Sequence, residues 1–174
     1  MIQPLSYIHP EAKIAQNVIV EPFSTIHKDV VIGEGTWIGS NVTIMDGARI
    51  GKNCRIFPGS VISGEPQDLK YEGEVTTAEI GDNTTIRECV TINRGTKDRY
   101  KTVIGKNCLI QAYSHIAHDC FVGDPCIFSN SSALAGHITV GDYVVLAGMV
   151  AVHQFCKIGS HAFVPGFEEQ LVGM

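Results

Sequence analysis

The segment Ser114-His115-Ile116-Ala117-His118-Asp119-Cys120 gathers groups able to move a proton or hold a cation. Two imidazoles lie three residues apart, and a carboxylate directly follows the second. An imidazole titrates near neutral pH, so it takes up and returns a proton without large tuning. A neighbouring carboxylate can orient such a base, and that pair suits acyl transfer. Imidazoles are also metal ligands, and three of them around an open position make a catalytic zinc site. His137 follows His118 by 19 residues and His153 follows it by 35. A lone histidine is more often structural, but four gathered on one scaffold point to a site.

The scaffold that must gather them is a repeat. In steps of six from Ile8, every position through Ile62 is Ile or Val. The register resumes at Ile80, Ile86 and Ile92, and again from Ile104 to Val164, where Phe128, Leu134 and Leu146 join the aliphatic series. Both interruptions are multiples of six, so the count is twenty-four hexads. Period six does not fit a helix, whose apolar face recurs near 3.6 residues. It fits short strands joined by sharp corners, with three hexads to a triangular coil and eight coils in a stack. At about 4.8 Å per stacked strand the prism is about 40 Å long. Residues 18 apart then lie one above another, so His118, His137 and His153 are expected along one edge, with His115 close by.

Glycine often follows the aliphatic, as at Gly33, Gly51, Gly81 and Gly105, and Asn, Asp or Lys often come next, residues suited to tight corners. The fourth place after the aliphatic is small or aliphatic and takes Cys54, Cys108, Cys120, Cys126 and Cys156. These five are expected to be small buried hydrophobes in a reducing compartment. No Cys-x-x-Cys pair occurs, and Cys89 receives no role.

With 18% charged and 44% hydrophobic residues the chain is globular, and its net charge of −5 argues against a nucleic-acid partner. No apolar run approaches the ~20 residues of a membrane span, and residues 1–6 lack signal-peptide features. A cytoplasmic protein is expected, with one repeat domain over residues 1–164 and an aberrant or truncated tail over 165–174, where the hexad pattern fades. Two segments leave the pattern. Gly64 to Glu74 is charged and reads as an excursion of the kind that carries function. Arg94 to Lys106 holds five basic residues and one acidic one, either a solvated turn or a dock for an acidic partner.

The segments Gln67-Asp68-Leu69-Lys70-Tyr71, Ile92-Asn93-Arg94-Gly95-Thr96, His115-Ile116-Ala117-His118-Asp119-Cys120, Leu134-Ala135-Gly136-His137 and Ala151-Val152-His153-Gln154-Phe155-Cys156 occur in that order. Together they resemble the UDP-N-acetylglucosamine O-acyltransferases of lipid A biosynthesis, a family of hexapeptide-repeat acyltransferases. The resemblance implies an all-β, left-handed parallel β-helix assembled as a homotrimer. It also implies transfer of a 3-hydroxyacyl chain from acyl carrier protein to the glucosamine 3-hydroxyl of UDP-N-acetylglucosamine. His118 is then the general base, Asp119 its orienting carboxylate, and the Gly136 N–H the donor to the oxyanion. Gln67, Asp68, Lys70, His115, His137, His153 and Gln154 are the implied substrate contacts. No metal, cofactor or covalent enzyme intermediate is implied.

Asn93 stands where some members carry histidine. The family continues through further coils and a helical C-terminal domain that contributes to nucleotide, carrier and chain-length recognition, so acyl length is not legible here. Three other readings stay open. They are a relative acting on another nucleotide sugar, including one with a 3-amino group, a metal-dependent lyase such as the hexapeptide-repeat carbonic anhydrases, and a non-catalytic trimeric scaffold. The lyases usually separate a ligand pair by four residues, where His115 and His118 are separated by two.

Overall fold

A computed structural model describes residues 1–166. It contains twenty-four strands, from β1 (Tyr7–Ile8) to β24 (Phe163–Val164), most of them two residues long. Each strand pairs in parallel with the strands three before and three after it, giving three eight-stranded sheets. The sheet starting at β1 is called the first sheet here, those starting at β2 (Lys13–Ile14) and β3 (Ile19–Val20) the second and third. Three strands make one turn of a triangular prism, so the twenty-four hexads become eight coils, as the periodicity requires.

The last residue of most strands points inward. Ile92 of β13 (Thr91–Asn93), Ile116 of β16 (His115–Ile116) and Leu134 of β19 (Ala133–Leu134) stand in register and are buried. β-Branched residues suit this column because the pleated backbone leaves their one preferred rotamer unstrained. Each fully buried Ile or Leu contributes roughly 1.5–3 kcal/mol relative to exposure. At the first and last coils the same positions, such as Ile8, Ile14, Val152 and Ile158, are only partly covered.

Corners turn in the left-handed region of backbone space. Between the second and third sheets that place is taken in the first five coils by Asn17, Gly35, Asn53, Asn83 and Asn107, residue types that tolerate positive φ, and in the last two by Tyr143 and His161. Glycine precedes it by two because the coils nearly touch. A Cβ at Gly81 would fall 2.6 Å from the Gly105 carbonyl carbon. Between the first and second sheets the left-handed place is filled by Asp119 (φ 59°), His137 (φ 64°) and Phe155 (φ 64°).

Both excursions leave the prism at this second corner. One joins β10 (Val61–Gly64) to β11 (Thr77–Ile80), and the other joins β13 to β14 (Lys101–Ile104). Cys54, Cys108, Cys120 and Cys126 are buried thiols, as expected, but Cys156 is exposed. It precedes β23 (Lys157–Ile158), the last strand of its sheet, so no further coil among the described residues covers it. Of the segment 165–174, only Pro165 and Gly166 are described, without strand structure, and the remainder lies outside the described residues.

Candidate active site

His118 and Asp119 occupy the corner after β16, where successive coils superpose residues 18 apart. His118 therefore shares a column with Gly136 and Gln154, and Asp119 shares one with His137 and Phe155. The carboxylate of Asp119 is fully buried, and His118 is nearly so. Asp119 Oδ2 lies 2.8 Å from His118 Nδ1 and accepts the Thr96 hydroxyl at 2.6 Å. Its Oδ1 accepts backbone N–H groups from Thr96 at 3.0 Å and Arg99 at 3.2 Å. Burial pushes the Asp119 carboxyl up, but hydrogen bonds from His118, Thr96 and Arg99 outweigh it and hold the pKa at about 2. The carboxylate is thus an anion at neutral pH, so the ring nitrogen facing it is the protonated one. Nδ1–H donates to Asp119, and Nε2 keeps its lone pair.

That Nε2 faces Gly136. A Cβ at residue 136 would sit 2.6 Å from His118 Cε1 and 2.8 Å from Nε2, so only glycine leaves the ring its place. Among the described residues no acceptor takes the Gly136 N–H, while its carbonyl accepts from Phe155 N–H at 3.2 Å.

His137 stands edge-on to His118, with ring centroids 5.0 Å apart, and stacks on Phe155 at 4.6 Å. Its Nδ1 is 3.0 Å from Asp98 Oδ2. His115 turns to Thr91, with Nδ1 2.7 Å from the hydroxyl. Burial, and secondarily the neighbouring His118, push the His115 pKa down, favouring the neutral ring.

Two adjoining grooves open on this corner. One is lined by Gln67, His115, His118, Gly136 and Gln154. The other is lined by Gln67, Asp68, Lys70, His118, His137 and Phe155. Nine of the ten residues singled out from the sequence therefore converge. His153 does not. It is one position short of two full coils from His118, so it falls in the column of Ala117 and Ala135 and points its exposed ring to the Gln154 carbonyl, 3.3 Å away.

Thr96, Asp98, Arg99 and Phe155 are site residues that the spacing did not indicate. The first three come from the excursion after β13, which has no periodicity to place it. In the basic run from Arg94 to Lys106, read from sequence as a solvated turn or a dock for an acidic partner, the five basic side chains face partners within the chain. Arg94 bonds the Tyr71 hydroxyl, Lys97 faces Glu72, Arg99 holds the Asp119 carbonyl, Lys101 faces Glu79 and Lys106 faces Asp82.

Donor atoms of His118, Asp119 and His137 lie within 4.8 Å of one another, close enough to share a metal ion. The ring nitrogens nearest Asp119 are already engaged, His118 Nδ1 with Asp119 and His137 Nδ1 with Asp98. Both Asp119 oxygens already accept two donors each, one of them His118 Nδ1–H. A three-imidazole set fails as well, because His115 is directed at Thr91.

The repeat and prism define a hexapeptide-repeat protein, and residues 29–64 match the family described as bacterial transferase hexapeptide (six repeats). The chain is 53% identical over 163 residues to an acyl-[acyl-carrier-protein]--UDP-N-acetylglucosamine O-acyltransferase of Ectopseudomonas mendocina, covering 93% of this chain and 63% of the relative. The enzyme of the same name from Xylella fastidiosa is 52% identical over 165 residues, covering 94% and 63%. Among solved structures, LpxA from Bacteroides fragilis, a UDP-N-acetylglucosamine acyltransferase, superposes with a TM-score of 0.94 at 49% identity, covering 95% of this chain and 65% of that one. The Francisella novicida UDP-N-acetylglucosamine acyltransferase gives 0.93 at 47%, covering 95% and 61%. The fold shared with them is the left-handed parallel β-helix expected from the sequence. The chain spans about 63% of the length of the curated relatives it matches.

Proposed function

We propose that the chain transfers a 3-hydroxyacyl group from acyl carrier protein to the glucosamine 3-hydroxyl of UDP-N-acetylglucosamine, the first step of lipid A biosynthesis. The observation that carries the reading is the His118–Asp119 pair, with Nδ1 committed to a buried anion and Nε2 free beside an unengaged Gly136 N–H. Nε2 takes the hydroxyl proton as the sugar oxygen attacks the thioester carbonyl. Asp119 stabilises the imidazolium that forms. The Gly136 N–H donates to the tetrahedral oxyanion. Collapse expels the carrier thiolate, which takes the proton back from His118, so the enzyme ends as it began.

Gln67, Asp68, Lys70, His115, His137 and Gln154 line the grooves and would hold the nucleotide sugar and acyl chain, and His153 would touch substrate only outside them. A 3-amino acceptor would use the same base and give an amide. A homotrimer is the assembly we infer, because the grooves are open on the outside of the prism and a neighbouring copy would wall them. Four buried free thiols suit a reducing cytoplasm. Among the described residues no helix is long and apolar enough to cross a membrane.

The test is incubation with 3-hydroxyacyl carrier protein and either UDP-N-acetylglucosamine or its 3-amino counterpart, with products identified by mass spectrometry. An ester on the first acceptor is expected. An amide on the second alone would reassign the acceptor, and no transfer to either by a folded trimer would overturn the reading.

A further inference from the structure

We propose that Thr96 is a positioning residue for the His118–Asp119 pair, acting from the excursion between β13 and β14. The inference rests on the transfer reaction proposed above and assigns a determinant of its base. Thr96 grips both oxygens of Asp119, with its N–H on Oδ1 at 3.0 Å and its hydroxyl on Oδ2 at 2.6 Å. Oδ2 is the same oxygen that faces His118 Nδ1. The Thr96 hydroxyl in turn accepts the Asp98 N–H at 3.3 Å, which directs its proton toward Asp119. A polarised series results, running from Asp98 N–H through the Thr96 hydroxyl to the carboxylate that also receives His118.

The rest of the excursion holds Thr96 in place. Tyr100 N–H donates to the Thr96 carbonyl at 2.8 Å, and Gly95 N–H donates to Thr77 at 3.0 Å. Gly95 permits the close approach, since a Cβ there would fall 2.6 Å from Lys101 Cα. The same turn reaches the second imidazole, because Asp98 takes His137 Nδ1. One turn of chain outside the repeat therefore orients both rings.

The corner itself does not depend on the Thr96 hydroxyl. The Asp119 N–H is satisfied by Thr102 Oγ1 at 2.9 Å and the Asp119 carbonyl by Arg99 at 3.0 Å. What the hydroxyl adds is the rotation of the carboxylate plane. Without it Oδ2 keeps only His118 as a hydrogen-bond partner, with His137 Nδ1 at 3.9 Å, and the carboxylate can swing away from His118 Nδ1. The imidazole then loses its fixed tautomer, and a ring carrying its proton on Nε2 cannot accept another there.

The experiment compares Thr96→Val, which keeps shape and N–H but lacks the hydroxyl, with Thr96→Ser, which keeps the hydroxyl. Wild type should show one His118 tautomer, protonated at Nδ1, by ¹H–¹⁵N NMR of the ring nitrogens. Thr96→Val should show a mixture of tautomers. Its kcat should fall about tenfold or more with KM little changed, the usual effect of losing a hydrogen bond to a charged group. The acidic limb of its kcat/KM profile should move to lower pH, because the imidazolium loses part of its carboxylate contact. The other groups facing the pair, His115, His137, Arg99, Asp98, Asp68 and Lys70, are unchanged in this variant. Thr96→Ser should restore all three readings.

A wild-type pH profile and a single tautomer in Thr96→Val would overturn the proposal. Equal impairment in Thr96→Ser would do the same by assigning the effect to the lost methyl group. If Thr96→Val fails to fold, Thr96→Ala reads the same loss. A tautomer shift in a chain that transfers no acyl group would leave the positioning role standing and remove the proposed reaction instead.

Discussion

Two histidines of this prism sit at left-handed corners and stack on an aromatic ring one coil away. His137 (φ 64°) lies over Phe155 at 4.6 Å, and His161 (φ 63°) lies over Tyr143 at 4.8 Å. Backbone and stacking are nearly the same, yet only one ring belongs to a site. His161 is exposed on the corner between the second and third sheets, where no excursion arrives. His137 is covered, bonded to Asp98 and set edge-on to His118. The repeat supplies generic corners, and a segment departing from the repeat turns one of them into the candidate site.

Substitutions at the two corners should separate their roles. The largest effect after loss of the base itself belongs to Asp119→Asn, which replaces an acceptor of four hydrogen bonds by a group that can donate to Nδ1. The wrong tautomer should lower kcat on the order of 10²-fold or more in the transfer assay. Gly136→Ala should reduce turnover up to about 10²-fold, because the added methyl displaces the His118 ring while the backbone stays put. Gly81→Ala, at the other corner, meets backbone of the next coil instead and should cost about 1–3 kcal/mol of stability in a denaturant titration. If both glycine variants lost stability alike, the two corners would be equivalent and the contrast wrong.

The two stacked histidines give a smaller effect. His137→Ala should slow transfer about tenfold or more through lost contacts to His118 and Asp98. His161→Ala should transfer at the wild-type rate.

Acid stability separates the regions further. The Asp119 pKa is depressed from the ordinary 3.8 to about 2. Its contribution to stability is therefore present above about pH 3.8 and is lost as pH falls toward 2. The difference in urea midpoint between wild type and Asp119→Asn should shrink across that interval, and a difference independent of pH would contradict the hydrogen-bond assignment. The smallest effect belongs to Lys97→Ala, whose exposed pair with Glu72 at 3.5 Å should change stability by less than about 1 kcal/mol.

Much of this was legible in the sequence because the fold is periodic. Ile8 to Val164 in steps of six gave twenty-four strands and their stacking, and a coil of 18 brought His118 and His137 to one edge. His153 is expected there too, but its spacing of 35 from His118 is one short of two coils, which puts it in the column of Ala117 and Ala135, on the opposite side of His118 from His137. What periodicity could not reach was the chain outside it. Thr96, Asp98 and Arg99 have no hexad register, so their contacts with Asp119 and His137 depend on how the excursion folds back. For the same reason the sequence left the basic run from Arg94 to Lys106 as a solvated turn or a dock, without showing that its side chains face Glu72, Glu79, Asp82 and the Tyr71 hydroxyl. Cys156 followed the buried pattern by position but lies on a coil that none of the described residues covers.

In the proposed reaction His118 is the base for acyl transfer to the nucleotide sugar. The most direct measurement is the initial rate of that transfer for His118→Ala beside His161→Ala, with the fold of each verified by circular dichroism. A fall of about 10²–10⁴-fold in the first, with the second unchanged, is the predicted result. Transfer by His118→Ala at the wild-type rate would contradict the account.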